Sequence, residues 1–168
     1  MGRTSQDLDA ELWKIRLEKT KTAPELDLER YDNGKRVKLA DYHGKAVLVS
    51  FWYPACGPCR NEFPHLQKVL DKYKDRLVIL APNVTREEDE FVMPFLKKHG
   101  YGFIPLKCDD AWAEKNYGAR GYPTNVLLDH EGQIIFAPPV YDGRSRKVFE
   151  LQVEAILRRA GSDANEKR

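Results

Sequence analysis

Apolar residues recur at helical spacing near the start of the chain. Leu8, Leu12 and Ile15 form one stripe with Trp13 and Leu17 beside it, which predicts an amphipathic helix over residues 6–19. Residues 20–24 read as a connector. Short apolar runs at 26–28 and 37–39 flank Asn33-Gly34, a strong hairpin signal. Residues 46–53 (AVLVSFWY) are β-branched and aromatic with little polarity, as in a strand buried on both faces. Pro58 suits the first turn of a helix running to about Lys74. A strand is expected at 77–80. A helix at 87–99 has an acidic first turn, and Gly100 ends it. A short strand at 104–107 and a short helix at 111–117 follow. Strands at 124–128 and 133–136 are joined by the turn Asp129-His130-Glu131-Gly132. Residues 147–159 form the last helix, Gly161 is its stop, and the polar residues 162–168 are expected to be a disordered tail.

Strands alternating with helices, closed by one late hairpin, predict an α/β fold with a mixed central sheet flanked by helices. The 168 residues suit one domain of ordinary size. The boundaries expected are an N-terminal helix and connector over 1–22, the domain over 23–161 and the tail beyond. The net charge of +2, from 28 basic and 26 acidic residues, gives no reason to expect nucleic acid as a partner. No stretch approaches the roughly 18 apolar residues of a membrane span. The first residues lack an apolar signal core, and Gln6 breaks the myristoylation pattern.

Three cysteines cannot form a disulfide framework. Cys108 stands alone and reads as a buried, inert thiol. The close pair Cys56-Gly57-Pro58-Cys59 points to redox chemistry or to half a zinc site. Structural zinc takes four ligands, and His43, His65, His99 and His130 are scattered, so no metal is expected. Chemical sites in such sheets lie beyond the C-terminal ends of strands, and Cys56 lies at such a point. A helix N-terminus favours a thiolate, which is the form that attacks disulfides, so Cys56 is expected to have a lowered pKa. Cys59 is one helical turn further along the same face and can close a small disulfide ring with it. Cys56 is therefore the expected attacking thiol and Cys59 the resolving one.

At this point the sequence resembles the thioredoxin superfamily, and within it the TlpA/ResA-like thiol–disulfide oxidoreductases. The resemblance covers roughly residues 23–160. Ala23-Pro24 with residues 37–49 (VKLADYHGKAVLV) look like the opening segment of that group. Phe51-Trp52 followed by the CGPC motif match its active-site strand. Glu62-Phe63-Pro64 match its Glu-x-Pro. Residues 117–124 (YGARGYPT) look like its cis-proline loop, and residues 129–132 like its closing hairpin turn. The extra strand and helix near residues 100–120 resemble the group's insertion before that loop.

The resemblance implies a thioredoxin-like fold and a redox-active disulfide between Cys56 and Cys59. It implies that Pro123 is cis and faces Cys56. Tyr122 is then free to offer its backbone to a substrate peptide, because proline has no N–H to give. Glu62, one turn beyond Cys59, becomes the candidate proton acceptor, with partial burial tuning it toward neutrality. Trp52, Gly57, Pro58, Tyr122 and Thr124 are the implied substrate contacts, Trp52 chiefly as core that shields the sulfurs. Pro64 is expected to kink the helix. No cofactor beyond the two cysteines is expected. The implied partners are protein disulfides or dithiols and an upstream thiol reductant, served by a monomer. Members of the group often act on apocytochrome c or other periplasmic thiol proteins. The group usually carries a signal peptide or membrane anchor and none is legible here, so the resemblance favours an extracytoplasmic, periplasmic setting only slightly over a cytoplasmic one.

The chain departs from thioredoxin itself in two places: Ala55 stands where thioredoxin has Trp, and Ser50 where it has a buried Asp. The Gly57-Pro58 dipeptide is thioredoxin's own and leans toward a reductase. Two rival functions remain. A peroxiredoxin-type peroxidase needs Thr three residues before its cysteine, where this chain has Tyr53. A non-catalytic binding module on the same fold usually lacks one cysteine, and both are present here.

Overall fold

The apolar run at residues 46–51 is the axis of the molecule. The structure is a computed structural model that describes Thr4, residues 20–135 and residues 142–166. In it β3 (Ala46–Phe51) is buried at all six positions. It pairs in parallel with β4 (Leu77–Asn83) and antiparallel with β6 (Thr124–Leu128). β4 pairs in parallel with β5 (Ile104–Lys107), so the sheet runs β5-β4-β3-β6. The helices are α1 (Gly57–Tyr73), α2 (Asp89–His99), α3 (Asp110–Tyr117) and α4 (Gly143–Glu166). Side chains alternate across a strand, which splits the core of this mixed α/β sheet in two. Leu48 joins Phe63 and Leu66 of α1 and Phe149 and Ile156 of α4 on one face. Val47, Val49 and Phe51 pack against Leu28, Val37 and Ala113 on the other.

The hairpin signalled by Asn33-Gly34 forms. β1 (Asp27–Glu29) and β2 (Arg36–Lys38) are antiparallel, and Gly34 takes φ +70° in the connection. The hairpin lies along β5 through an Arg30–Leu106 bridge and a Tyr31 N–H donated to the Pro105 carbonyl at 3.0 Å. β4 runs three residues past its expected end. Pro82 cannot donate, yet its carbonyl accepts from Trp52 N–H at 3.1 Å, and the Asn83 carbonyl accepts from Cys108 N–H at 3.0 Å, so pairing continues. The expected strand at 133–136 is reduced to isolated bridges at Gln133 and Ile134, and Phe136 lies outside the described residues.

α4 departs from expectation at both ends. It begins at Gly143, because the Asp142 carboxylate accepts from Ser145 N–H at 2.7 Å while the Ser145 hydroxyl accepts from Asp142 N–H at 3.1 Å. This reciprocal cap is worth about 1 kcal/mol. The helix also runs through Gly161 to Glu166 instead of stopping, so the expected tail is helical over most of its length. A glycine inside a helix costs only about 1 kcal/mol relative to alanine, and the residues after it do not break the helix. The expected helix over 6–19 lies outside the described residues. α1 continues through Pro64 without interruption. Among the described residues no helix is long and apolar enough to cross a membrane.

Candidate active site

β3 ends at Phe51, and the chain turns through Pro54 and Ala55 into α1. Cys56 is the N-cap of that helix, with extended backbone (φ −69°, ψ 103°). Pro58 has no N–H, and the Cys59 amide reaches back to the Cys56 sulfur at 3.3 Å. The helix thus directs its positive end onto one sulfur. Cys56 and Cys59 are joined as a disulfide with their Cα atoms 5.3 Å apart. Cys59 is wholly buried and Cys56 is 2% exposed, while Ala55, Gly57 and Pro58 around them are open to solvent. Of the two cysteines, Cys56 is the one with any exposed surface. In the reduced protein, brief iodoacetamide treatment is expected to alkylate Cys56 well before Cys59, read by peptide mass mapping. Preferential labelling of Cys59 would reverse the two roles.

One turn along α1, Glu62 is wholly buried. β3 and β6 place Ser50 and Asn125 opposite each other, and both reach this carboxylate. The Asn125 amide nitrogen donates to its two oxygens at 3.1 and 3.0 Å, and the Ser50 hydroxyl donates at 3.5 Å. Burial penalises the ionised form of Glu62, and these donors offset part of that penalty. The carboxylate is thus more deeply enclosed than the partial burial expected from sequence. Asn125 was not singled out by the sequence; its only signal is its place two residues after Pro123. Its Oδ1 atom is buried with no hydrogen-bond partner among the described residues.

The Tyr122–Pro123 bond is cis, as the resemblance implies. Thr124 opens β6 opposite Phe51, so the proline loop sits at the same end of the sheet as the cysteines. The Thr124 hydroxyl donates to the Gly121 carbonyl at 2.5 Å. Tyr122 packs edge-on to Tyr53 with centroids 5.9 Å apart, and its hydroxyl donates to Asp110. Burial, with the Asp110 carboxylate beside it, pushes this phenol above its ordinary range.

Trp52 departs from the expected substrate contacts. It is wholly buried, with its indole N–H donated to the Ala81 carbonyl at 3.2 Å and its ring 5.0 Å from Phe63. It belongs to the same core cluster as the two sulfurs and has no surface for a bound chain. Burial pushes the Cys108 thiol up to about 12, which fits the inert role read from sequence. Glu88 is a site residue that sequence reasoning missed. Its carboxylate accepts the Ala55 N–H at 2.7 Å across 33 positions, a contact that only the fold creates. Among the described residues no three His, Cys, Asp or Glu side chains are grouped to hold a metal.

The chain is similar to known proteins over most of its length. The Redoxin family matches residues 18–151. The chain is 32% identical over 123 residues to the thioredoxin-like protein YneN of Bacillus subtilis, covering 72% of this chain and 71% of that protein. It is 35% identical over 114 residues to the thiol-disulfide oxidoreductase ResA of Bacillus subtilis, covering 67% of this chain and 63% of ResA. Against ResA, then, the chain spans somewhat less than two thirds of the relative. Among solved structures it is similar to a candidate thiol:disulfide interchange protein DsbE from Chlorobium tepidum. The TM-score there is 0.73 at 29% identity, over 82% of this chain and 96% of that one. With the buried cysteine pair at a helix cap and the cis-proline loop at the same end of the sheet, these likenesses place the chain in the Redoxin family, as a TlpA/ResA-like thiol–disulfide oxidoreductase of thioredoxin fold.

Proposed function

We propose that this chain reduces disulfides in other proteins and is recharged by an upstream dithiol. The observation that carries the reading is the position of Cys56: capping a helix, hydrogen-bonded by the Cys59 amide and already bonded to the Cys59 sulfur. In the reduced form the Cys56 thiolate attacks one sulfur of a substrate disulfide. A new S–S bond forms, the substrate's own bond breaks, and its second sulfur leaves as a thiolate that takes up a proton. Cys59 then loses its proton and attacks the Cys56 sulfur. The protein disulfide closes, and the substrate departs with both sulfurs reduced. Two electrons have moved from the protein to the substrate. Glu62 is the proposed acceptor of the Cys59 proton. Gly57 and Pro58, together with the Tyr122 backbone, Pro123 and Thr124, form the proposed rim on which the substrate chain rests.

The experiment is Cys59→Ser. The first attack survives and the second is lost, so the variant is expected to accumulate a mixed disulfide between Cys56 and its substrate. Non-reducing electrophoresis of the variant mixed with oxidised insulin reads this directly. The Cys56→Ser/Cys59→Ser double variant is expected to form none. If Cys59→Ser forms no adduct, the exchange mechanism is wrong.

A further inference from the structure

We infer that the face of α2 beside the disulfide is a docking surface for the substrate polypeptide. It fits a segment that carries a large apolar side chain and a carboxylate close to its reactive cysteine. The inference rests on the function proposed above and names a substrate class for it. α2 has two unlike stripes. Val92 and Leu96 are buried, as a core-facing stripe requires. Phe91, Pro94, Phe95 and Lys98 recur at i, i+3, i+4 and i+7 and make a second stripe that faces outward. That outward stripe is not polar, since Phe91 is 53% exposed and Pro94 is exposed.

This stripe looks across at the redox motif. An open concavity of about 420 Å³ separates it from Pro54, Ala55 and Arg60. Ala55 immediately precedes Cys56 and Arg60 immediately follows Cys59. The Arg60 guanidinium stands 5.1 Å from the centre of the Phe95 ring. Past Arg60 a second concavity of about 450 Å³ continues to Gly57 and His99. Together they form a trough with an aromatic floor and the cysteine turn as one wall. An extended peptide lying in it would carry a neighbouring cysteine to the Cys56 sulfur.

The charge in the trough selects the occupant. Arg60 and Lys98 have no ion pair among the described residues. The carboxylate in the trough, Glu88, is turned onto the backbone, where it accepts the Ala55 N–H. Two cations against one carboxylate leave the trough net positive, which calls for an acidic side chain, while the rings call for an apolar one.

Two glutathione-linked peptides test this, one built as Glu-Phe-Gly-Cys and one as Lys-Ser-Gly-Cys. The reduced protein converts each to free peptide thiol and glutathione while its own disulfide closes, so electrons and protons balance. The acidic aromatic peptide is expected to be reduced with a kcat/KM about tenfold higher. The variant Phe91→Ala/Lys98→Glu is expected to lose that preference, and Val148→Ser, an exposed apolar position on α4, to keep it. A parallel titration of the oxidised protein with the same peptides carrying Ser for Cys reads docking without redox chemistry. Equal rates for the two peptides, or a preference that survives Phe91→Ala/Lys98→Glu, would overturn the inference. Docking of the acidic peptide without reduction of either would overturn the proposed function and leave the surface standing.

Discussion

Glu62→Gln is expected to slow disulfide exchange by roughly ten- to a hundredfold near pH 7, the low end of what a positioned proton acceptor contributes. The substitution keeps the shape of the side chain and removes its titration. The buried surroundings also tolerate it, because a Gln oxygen can still accept from the Asn125 amide. Its new N–H₂ group would face the Asn125 nitrogen, and a half-turn of the Asn125 amide, which presents the unpartnered Oδ1 instead, restores the pair. Thermal unfolding should accordingly change little, which separates a loss of proton transfer from a loss of fold. The rate deficit should shrink as pH rises, since hydroxide can then take the Cys59 proton directly. Stopped-flow exchange with oxidised insulin from pH 6 to 9 checks both statements. A Gln variant with the wild-type rate and pH profile would mean that water carries the proton.

Phe63→Ala should have the largest effect on stability, a loss of about 3–5 kcal/mol. Phe63 is wholly buried, and its ring lies 5.0 Å from Trp52, 5.5 Å from Tyr101 and 4.9 Å from Phe103. Those rings come from the strand end before the cysteines and from the loop before β5. Truncation leaves a cavity that three rigid rings cannot collapse to fill. For a domain of this size the midpoint should fall by about 6–20 °C. Thermal unfolding of the oxidised protein followed by circular dichroism measures it. A fall of under about 2 °C would mean that the cluster repacks.

The parts of this structure that were legible in the sequence are those that local chemistry dictates. The run at 46–53 reads as a doubly buried strand, which forms over Ala46–Phe51, Pro58 marks a helix start and Gly100 a helix end. Glu62 was legible because its spacing from Cys59 is helical and its place matches a family motif. The end of β4 lies at Asn83 and not at residue 80, because pairing past Pro82 uses carbonyls, which every residue has and no side chain advertises. Gly161 misled because its cost to a helix is small enough for its neighbours to outweigh. Asn125 and Glu88 were invisible for a different reason. An asparagine two residues after a proline and a glutamate in an acidic turn are ordinary in sequence, and only tertiary pairing brings them to the cysteine turn and its carboxylate.

The hairpin of β1 and β2 has a consequence for life among unfolded chains. It occupies the outer side of β5, while residues 133–135 occupy the outer side of β6, with Ile135 N–H donating to the Leu127 carbonyl at 2.7 Å. Open strand edges recruit other extended chains and seed aggregates. A thiol–disulfide oxidoreductase meets protein thiols, and a chain that has not finished folding carries that hazard to it. Among the described residues, both flanks of the sheet are occupied along these stretches, by the hairpin at β5 and by residues 133–135 at β6. The described sheet therefore offers a growing aggregate little bare strand edge to extend.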